Sequence, residues 1–284
     1  MPVLVAIDGS SHTEVALRLG AQLARQGRQA LTILTVIKHE ADRHPAPVDA
    51  ILARACEIVQ PQFPDVRTRV RIGHPATEIV REAKEGNYDL VIVGEQPNRN
   101  QLTRFLAGST AIRVVEHAPC PVVVAKGRAS PTRRILLCDS GAESLSVGPR
   151  AGPSVLGRFT AQLAHLLKGI EEVTILHVMS QMSAGPGVEG KPLRANVEEL
   201  IENTTPEGML LEHDIGALER LGIHVRAEVR HGLVVDEILS EAQRGNYNLV
   251  VIGAYRGEGW QRILLDDLAH KIIVQSDRPV LVVR

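Results

Sequence analysis

Short aliphatic runs alternate with amphipathic segments along the first half of the chain. The runs have strand length and occupy residues 3–7, 31–37, 66–72, 89–93 and 121–125, and the segments with helical spacing between them occupy 11–26, 47–60, 76–86 and 108–117. Strands that alternate with helices predict βαβ units, a parallel sheet and right-handed crossovers. The pattern therefore predicts a doubly wound α/β domain of flavodoxin size, in which ligands bind where the strands end.

Residues that are typical of helix starts and helix ends mark the helix that follows the third run. His74-Pro75 precedes it, Glu78 lies in its first turn, and Gly86-Asn87 ends it. Glycine is the usual residue just past a helix, because it adopts the left-handed conformation without a steric penalty. We therefore expect Gly86 to be the residue that ends this helix in the left-handed conformation.

The same framework occurs twice along the chain. Residues 71–94 and 230–253 match at twelve of twenty-four positions with a constant offset of 159. Changes in this offset elsewhere place insertions in the second copy near 140–153 and 180–208. The sequence therefore predicts two tandem domains, residues 1–128 and 132–284, each built on a doubly wound, five-stranded parallel sheet.

Composition mainly excludes classes of protein. The chain has 284 residues, enough for two hydrophobic cores, and its net charge of -1 gives no general attraction for nucleic acid. Its three cysteines form no CxxC pair, and the residues after Met1 form neither a signal peptide nor an apolar run that could cross a bilayer. We therefore expect a cytoplasmic protein with no nucleic-acid partner and no direct insertion into membranes.

Two loops of the first copy carry candidate chemistry. Asp8-Gly9-Ser10-Ser11 follows the first strand, and the segment after the fourth strand runs from Gly94 to Gly108-Ser109-Thr110 at the start of the last helix. Free N–H groups, the helix dipole and two hydroxyls at that start would suit a phosphate group. The same residues would also serve as an ordinary helix cap, so this feature alone leaves both interpretations open.

Several segments taken together resemble the universal stress protein family. They are the strand–Asp-Gly-Ser–helix segment at 3–26, GHPATEIV and NYDLVIVG within 73–94, Gly108-Ser109, and HAPCPVVV at 117–124. The resemblance covers the first copy nearly end to end and the second copy apart from its insertions. It implies the flavodoxin-like fold of adenine nucleotide α-hydrolases and a cytoplasmic stress-response or regulatory protein.

Assembly is also implied by the resemblance. Members of the family dimerise through the edge of the fifth strand, and an exposed aliphatic edge strand is an aggregation hazard unless it is paired. We therefore expect the fifth strands of the two copies, 121–125 and 279–283, to pair antiparallel within the chain as a pseudo-dimer. A homodimer of whole chains stays open.

Family members that bind ATP share the loop pattern G-x2-G-x9-G-[ST] after the fourth strand. Transferred by position, the resemblance implies ATP in the first domain, accompanied by Mg²⁺, with no separate metal site in the protein. Arg99 is not part of this pattern, and two interpretations of it stay open, an additional cationic clamp for phosphate or a solvated side chain. The residues so implied are Asp8, Val36 and Val93 at the adenine and Gly94, Gly108, Ser109 and Thr110 at the ribose and phosphates.

This sequence departs from the family pattern in both copies. Pro97 stands where the first copy should have its second glycine, and proline has no N–H to donate. In the second copy, Asp266-Asp267 replaces Gly-Ser at the expected start of the last helix, where two carboxylates would repel a triphosphate unless a metal intervened. Aspartate at a helix start is also an ordinary cap, which is favoured over a metal ligand. We therefore expect the second copy to be a degenerate, structural half.

No pairing of a nucleophile with a base is visible, and no GxSxG, HExxH or Walker pattern follows any strand. Catalysis is therefore the least favoured interpretation, although a slow ATPase stays open. Two alternatives do not depend on nucleotide binding. One is a scaffold that recruits a protein partner, and the other is a module that regulates a membrane transporter.

Overall fold

The computed structural model describes most of the chain, and its contacts divide the chain into two compact units. The first unit is Met1–Pro131 with Ser276–Val282, and the second is Thr132–Gln275 with Val283–Arg284. The residues described are 2–38, 45–61, 63, 66–95, 110–128, 130–138, 154–163, 168–179, 195–254 and 260–283.

Nine elements of the first unit follow the predicted alternation. They are β1 (Val3–Ile7), α1 (Ser11–Gly27), β2 (Leu31–Ile37), α2 (Pro45–Val59), β3 (Arg67–Ile72), α3 (Pro75–Glu85), β4 (Leu90–Gly94), α4 (Thr110–His117) and β5 (Val122–Ala125). The strands are parallel in the order β3-β2-β1-β4-β5. The predicted doubly wound, five-stranded parallel sheet is thus confirmed.

Burial on both faces explains why the central strands are continuous aliphatic runs. Every residue of β1 and β5 is buried, and α1 packs on β1 and β4 beside α2, while α3 packs against α4. From β1 the chain winds towards β2, and from β4 it winds towards β5. The switch point of the first unit therefore lies between the carboxyl ends of β1 and β4.

In its described residues, the second unit repeats this framework with one additional short helix. Its parallel strands have the order β9-β6-β7-β8. The elements of the second copy are β6 (Arg134–Cys138), α5 (Val155–Leu163), β7 (Glu172–Met179), α6 (Val197–Glu202), α7 (Pro206–Glu219), β8 (His224–His231), α8 (Val234–Arg244), β9 (Leu249–Gly253), α9 (Trp260–Gln275) and β10 (Val280–Val283).

The insertion expected at 180–208 is described only from residue 195 onward, where it forms α6 and the start of α7. A capping box between Asn196 and Glu199 begins α6, and the Thr205 side chain accepts the Gly208 N–H to begin α7. The other expected insertion, 140–153, lies outside the described residues.

The expected pairing of the two fifth strands is confirmed. β10 runs antiparallel to β5, with Leu281 opposite Val123, and residues 276–282 belong to the first compact unit. At its far end, the Val283 carbonyl accepts the Ala254 N–H at 2.7 Å. The aliphatic edge of β5 is therefore covered by a strand from the second copy.

The end of α3 differs from the expectation. Gly86 has an ordinary right-handed φ of -86°, and the left-handed residue is Asn87, with a φ of 49°. Glycine is needed at 86 for another reason, because a Cβ there would lie 2.1 Å from Cε2 of Tyr88. The second copy repeats this arrangement at Gly245, Asn246 and Tyr247.

An Arg–Glu–Tyr cluster ties the third strand to the following helix in each copy. In the first, Arg71 Nε lies 2.6 Å from Glu82 Oε2, and Tyr88 donates to Glu82 Oε1 at 3.2 Å. In the second, Arg230, Glu241 and Tyr247 repeat these contacts at 2.5 and 3.1 Å. Both glutamates are buried, so each relies on its arginine and tyrosine for the charge and hydrogen bonds that water would supply.

The tyrosine of the second cluster should make stability depend on alkaline pH. Burial and the nearby Glu241 carboxylate raise the pKa of Tyr247 to about 12, above the ordinary tyrosine value of about 10. The stabilisation is therefore fully present below pH ~10 and is lost as the pH rises towards 12. We expect the difference in unfolding free energy between wild type and Tyr247→Phe to be constant from pH 7 to ~9.5 and to shrink above it. Urea unfolding at each pH measures this, and a difference that does not change with pH would contradict it.

Candidate functional site

The loop after β1 is held in shape by its own side chains. Asp8 is exposed, and its carboxylate accepts the Ser10 N–H at 2.9 Å. The Ser10 carbonyl in turn accepts the Thr13 hydroxyl at 2.7 Å, within the first turn of α1. Gly9 has a φ of +80°, the left-handed conformation that glycine adopts readily. The loop therefore presents a carboxylate at the carboxyl end of β1.

Strand register brings the predicted adenine residues to one edge of the sheet. Ile7 lies opposite Thr35, so continuing that register by one residue places Asp8 beside Val36 at the end of β2. On the other side of β1, Ala6 lies opposite Val93. Val36 is half-buried and Val93 is buried. A polar group and two apolar side chains thus flank the end of the central strand.

Gly94 allows the end of β4 to approach α1. A Cβ at this position would lie 3.0 Å from the His12 carbonyl oxygen and 3.3 Å from Thr13 Cα. Both contacts are with backbone atoms, which cannot move aside as the end of a side chain can. A larger residue at 94 would therefore push the first turn of α1, and with it the Asp8 loop, out of position.

The phosphate end of the predicted site is described only in part. Thr110 is the exposed first residue of α4, and α4 packs on β5. The other members of this group, Arg99, Gly108 and Ser109, lie outside the described residues, as does Pro97.

An apolar groove runs beside the Asp8 loop, between α1 and α2. Its volume is about 350 Å³. Glu14 accepts a hydrogen bond from Arg18 at 2.7 Å and lies 3.9 Å from the exposed Arg54. The groove begins at the carboxyl end of β1, so it adds apolar space to the same edge of the sheet. It is lined by Ile7, Gly9, Ser10, Thr13, Glu14, Leu17, Ala50, Ile51, Arg54, Ala55 and Ile58.

The sequence analysis missed an ion pair at this edge of the sheet. Glu95 directly follows β4 and Lys126 directly follows β5, and their charged groups lie 2.6 Å apart with side chains that are largely buried. Each is a single polar residue after a buried strand, the same signal that identified Asp8. No repeated motif accompanies them, because Ala254 stands at the position of Glu95 in the second copy.

The second unit differs at the matching position. A Cβ on Gly253 would lie 2.5 Å from Nη2 of Arg158 and 2.8 Å from Cγ2 of Val155. The space over this glycine is therefore occupied by side chains of α5, whereas Gly94 faces the backbone of α1.

The expectation that Asp266 and Asp267 begin the last helix is wrong. Helix α9 starts at Trp260, so both residues lie within it, and Asp267 is exposed and pairs with Lys271 at 2.6 Å. A helical pair four residues apart explains Asp267 without any ligand. Within the described residues, no group of three His, Cys, Asp or Glu side chains could hold a metal ion.

Comparisons with known proteins point in one direction. The model of the universal stress protein family matches residues 1–126 and 157–284. A putative universal stress protein of Staphylococcus aureus USA300 is 29% identical over an alignment of 143 residues, and the alignment covers 45% of this chain and 86% of that protein. No helix among the described residues is long and apolar enough to cross a membrane.

Solved structures show the same fold over the whole chain. A universal stress protein from Archaeoglobus fulgidus DSM 4304 is 19% identical with a TM-score of 0.67, covering 100% of this chain and 96% of that one. A putative universal stress protein from Pseudomonas aeruginosa UCBPP-PA14 is also 19% identical with a TM-score of 0.67, covering 99% and 92%.

Proposed function

Because the chain belongs to the universal stress protein family, we propose that it is a stress-response regulator whose first unit binds an adenine nucleotide without turning it over. The observation that carries the proposal is the convergence at the switch point of the first unit. Asp8 follows β1 and Val93 is the penultimate residue of β4 on the other side of this point, while Val36 lies opposite Asp8 on β2, and an apolar groove of about 350 Å³ begins nearby. Ligands of doubly wound sheets bind at this point of the fold.

Each part of the site has a role in this proposal. The valines and the groove provide an apolar surface for the flat faces of adenine, and the Asp8 carboxylate accepts a hydrogen bond from its amino group. Because Gly94 has no side chain, the end of β4 can lie close to the first turn of α1. Thr110, with Gly108, Ser109 and Arg99 before it in the sequence, would hold the ribose and phosphates of ATP, which carries its own Mg²⁺.

The binding of ATP should be confined to the first unit. Titration calorimetry with ATP and Mg²⁺ is expected to give one site per chain. Asp8→Ala should weaken binding by about tenfold or more, because a hydrogen bond to a charged group contributes about 1.5–3 kcal/mol. Gly94→Val should abolish binding through the displacement of α1.

Matched variants separate this result from general damage. Gly253→Val alters the equivalent residue of the second unit, where the new side chain meets only other side chains, and should leave ATP affinity unchanged. Circular dichroism checks that every variant is folded. Two equivalent sites, or no binding at millimolar ATP, would contradict the proposal. Mass spectrometry of ligand released from the purified protein by denaturation tests the same point without added nucleotide.

A nucleotide-independent scaffold is the second candidate, and Pro97 favours it. Proline in place of the family's second glycine removes a backbone donor from the phosphate loop. If no nucleotide binds, the protein would act through its surfaces alone. The transporter-regulating module has no separate observation in its favour.

A further inference from the structure

Strand β3 forms an open edge of the first unit. It pairs with β2 on one side, and among the described residues no strand pairs with its other side. Both of its faces are also partly exposed, since Val70 is 38% and Ile72 37% exposed, and Arg67, Thr68 and Arg69 are exposed as well. Free backbone groups and exposed apolar side chains therefore occur together on one strand.

The direction of the free backbone groups follows from one hydrogen bond. The Gly73 N–H, directly after β3, donates to the Ile37 carbonyl of β2 at 2.8 Å. Backbone groups of alternate residues point to opposite sides of a strand. The N–H and C=O groups of Thr68, Val70 and Ile72 therefore point away from β2, where they could pair with another strand.

Three arginines alternate along β3 on one face of the sheet. Arg71 is neutralised within the Arg–Glu–Tyr cluster, where it contacts Glu82 and Glu85. Arg67 and Arg69 have no ion pair within the described part of the chain. Two exposed positive charges therefore lie two residues apart along the open edge.

The second copy of the repeat shows how such an edge is neutralised internally. Residues 226–231 of β8 match residues 67–72, and Glu228 stands at the position of Arg69. Its carboxylate lies 3.5 Å from Arg226 and 3.1 Å from Arg230. Helix α7 also packs against β8. Within its described residues, the first copy thus lacks both the carboxylate and a helix packed on this strand as α7 packs on β8.

We propose that the open edge of β3 binds an extended acidic segment of a partner protein by strand addition. The segment pairs with the outward backbone groups of Thr68, Val70 and Ile72, and its carboxylates, at alternate positions, face Arg67 and Arg69. A second copy of this chain fits less well, because two β3 strands would place arginines against arginines. The proposal does not depend on nucleotide binding, and its outward-pointing groups lie on the side of β3 away from β2, which carries Val36.

The test uses the full chain and a fluorescein-labelled octapeptide of alternating Glu and Val. Fluorescence anisotropy is expected to show saturable binding, which an octapeptide of alternating Lys and Val does not reproduce. Arg69→Glu recreates the arrangement of the second copy and should weaken binding by about tenfold or more, since it replaces an attraction by a repulsion. Arg133→Glu makes the same charge change at an exposed residue of the second unit and should have little effect.

Two further measurements separate strand addition from charge attraction alone. Val70→Pro removes an outward N–H and no charge, and should weaken binding by about tenfold or more. The Glu-Val octapeptide in which every valine is N-methylated tests the same point on the unaltered protein, and it should not bind. The proposal would be overturned if the N-methylated peptide bound as tightly as the unmodified Glu-Val peptide. It would also be overturned if the folded Arg69→Glu variant bound the unmodified peptide as tightly as the wild type does. So would tighter binding of a single-stranded oligonucleotide at this edge, or self-association that Arg69→Glu abolishes.

Discussion

Truncating the chain after Pro279 is expected to unfold or aggregate the protein. The deletion removes β10, whose residues Val280–Val283 are at most 1% exposed, and uncovers β5. Burial of a Val or Leu side chain contributes about 1.5–3 kcal/mol, so the loss is about 6–12 kcal/mol, an upper bound that is comparable with the whole stability of a domain, about 5–15 kcal/mol. The uncovered aliphatic edge also becomes a template for pairing between chains.

The control for this deletion is removal of Arg284 alone, which leaves β10 intact. Size-exclusion chromatography and thermal unfolding should show a soluble, wild-type-like protein for the control and aggregated or unfolded material for the longer deletion. A monomeric truncated protein with an unchanged unfolding temperature would show that β10 contributes little to the fold.

Replacing Glu82 by Ala is expected to lower the free energy of unfolding by about 3 kcal/mol. Removing one partner of a buried ion pair typically costs about 3–5 kcal/mol, and the contact of Arg71 with Glu85 limits the loss here. Tyr88 also loses its acceptor. Urea unfolding measures the effect.

The chain offers two matched controls for Glu82→Ala. Glu241→Ala makes the same change in the second cluster and should be similarly destabilising. Glu171→Ala breaks the exposed ion pair with Arg133, in which both side chains are more than half exposed, and should cost less than about 1 kcal/mol. Equal effects for Glu82→Ala and Glu171→Ala would show that burial of the cluster is not what stabilises it.

The fold could be predicted from the sequence because its central strands are short, continuous aliphatic runs that alternate with amphipathic helices. The runs at 3–7 and 31–37 are aliphatic and buried, and the structure places β1 and β2 at those bounds. The conformation of Gly86 was predicted wrongly, because glycine is needed there to avoid a contact with another side chain and not to adopt a left-handed φ. The helix-end rule considers only φ, whereas the ring of Tyr88 forbids a side chain at this position.

The candidate site was less predictable than the fold. Asp8, Val36, Val93 and Gly94 could be placed because each lies within one residue of a strand end, so strand register fixes their position. Asp266 and Asp267 were misplaced because the family spacing locates a helix start only if the preceding loop keeps its length, and α9 begins six residues before Asp266. Glu95 and Lys126 carry the same signal, because they directly follow the paired strands β4 and β5 and the register places them opposite each other, but no repeated motif drew attention to them.

The first unit includes a strand from the far end of the chain, and this has a consequence for protein synthesis. Its sheet is completed by residues 276–282, so β5 emerges from the ribosome long before the strand that covers it. At typical elongation rates of about 5–20 residues per second, the interval is roughly 8–30 s. Throughout that time the nascent chain carries an uncovered hydrophobic edge. Cellular yield should therefore depend on chaperones that shield this edge during translation, even if the finished protein is stable.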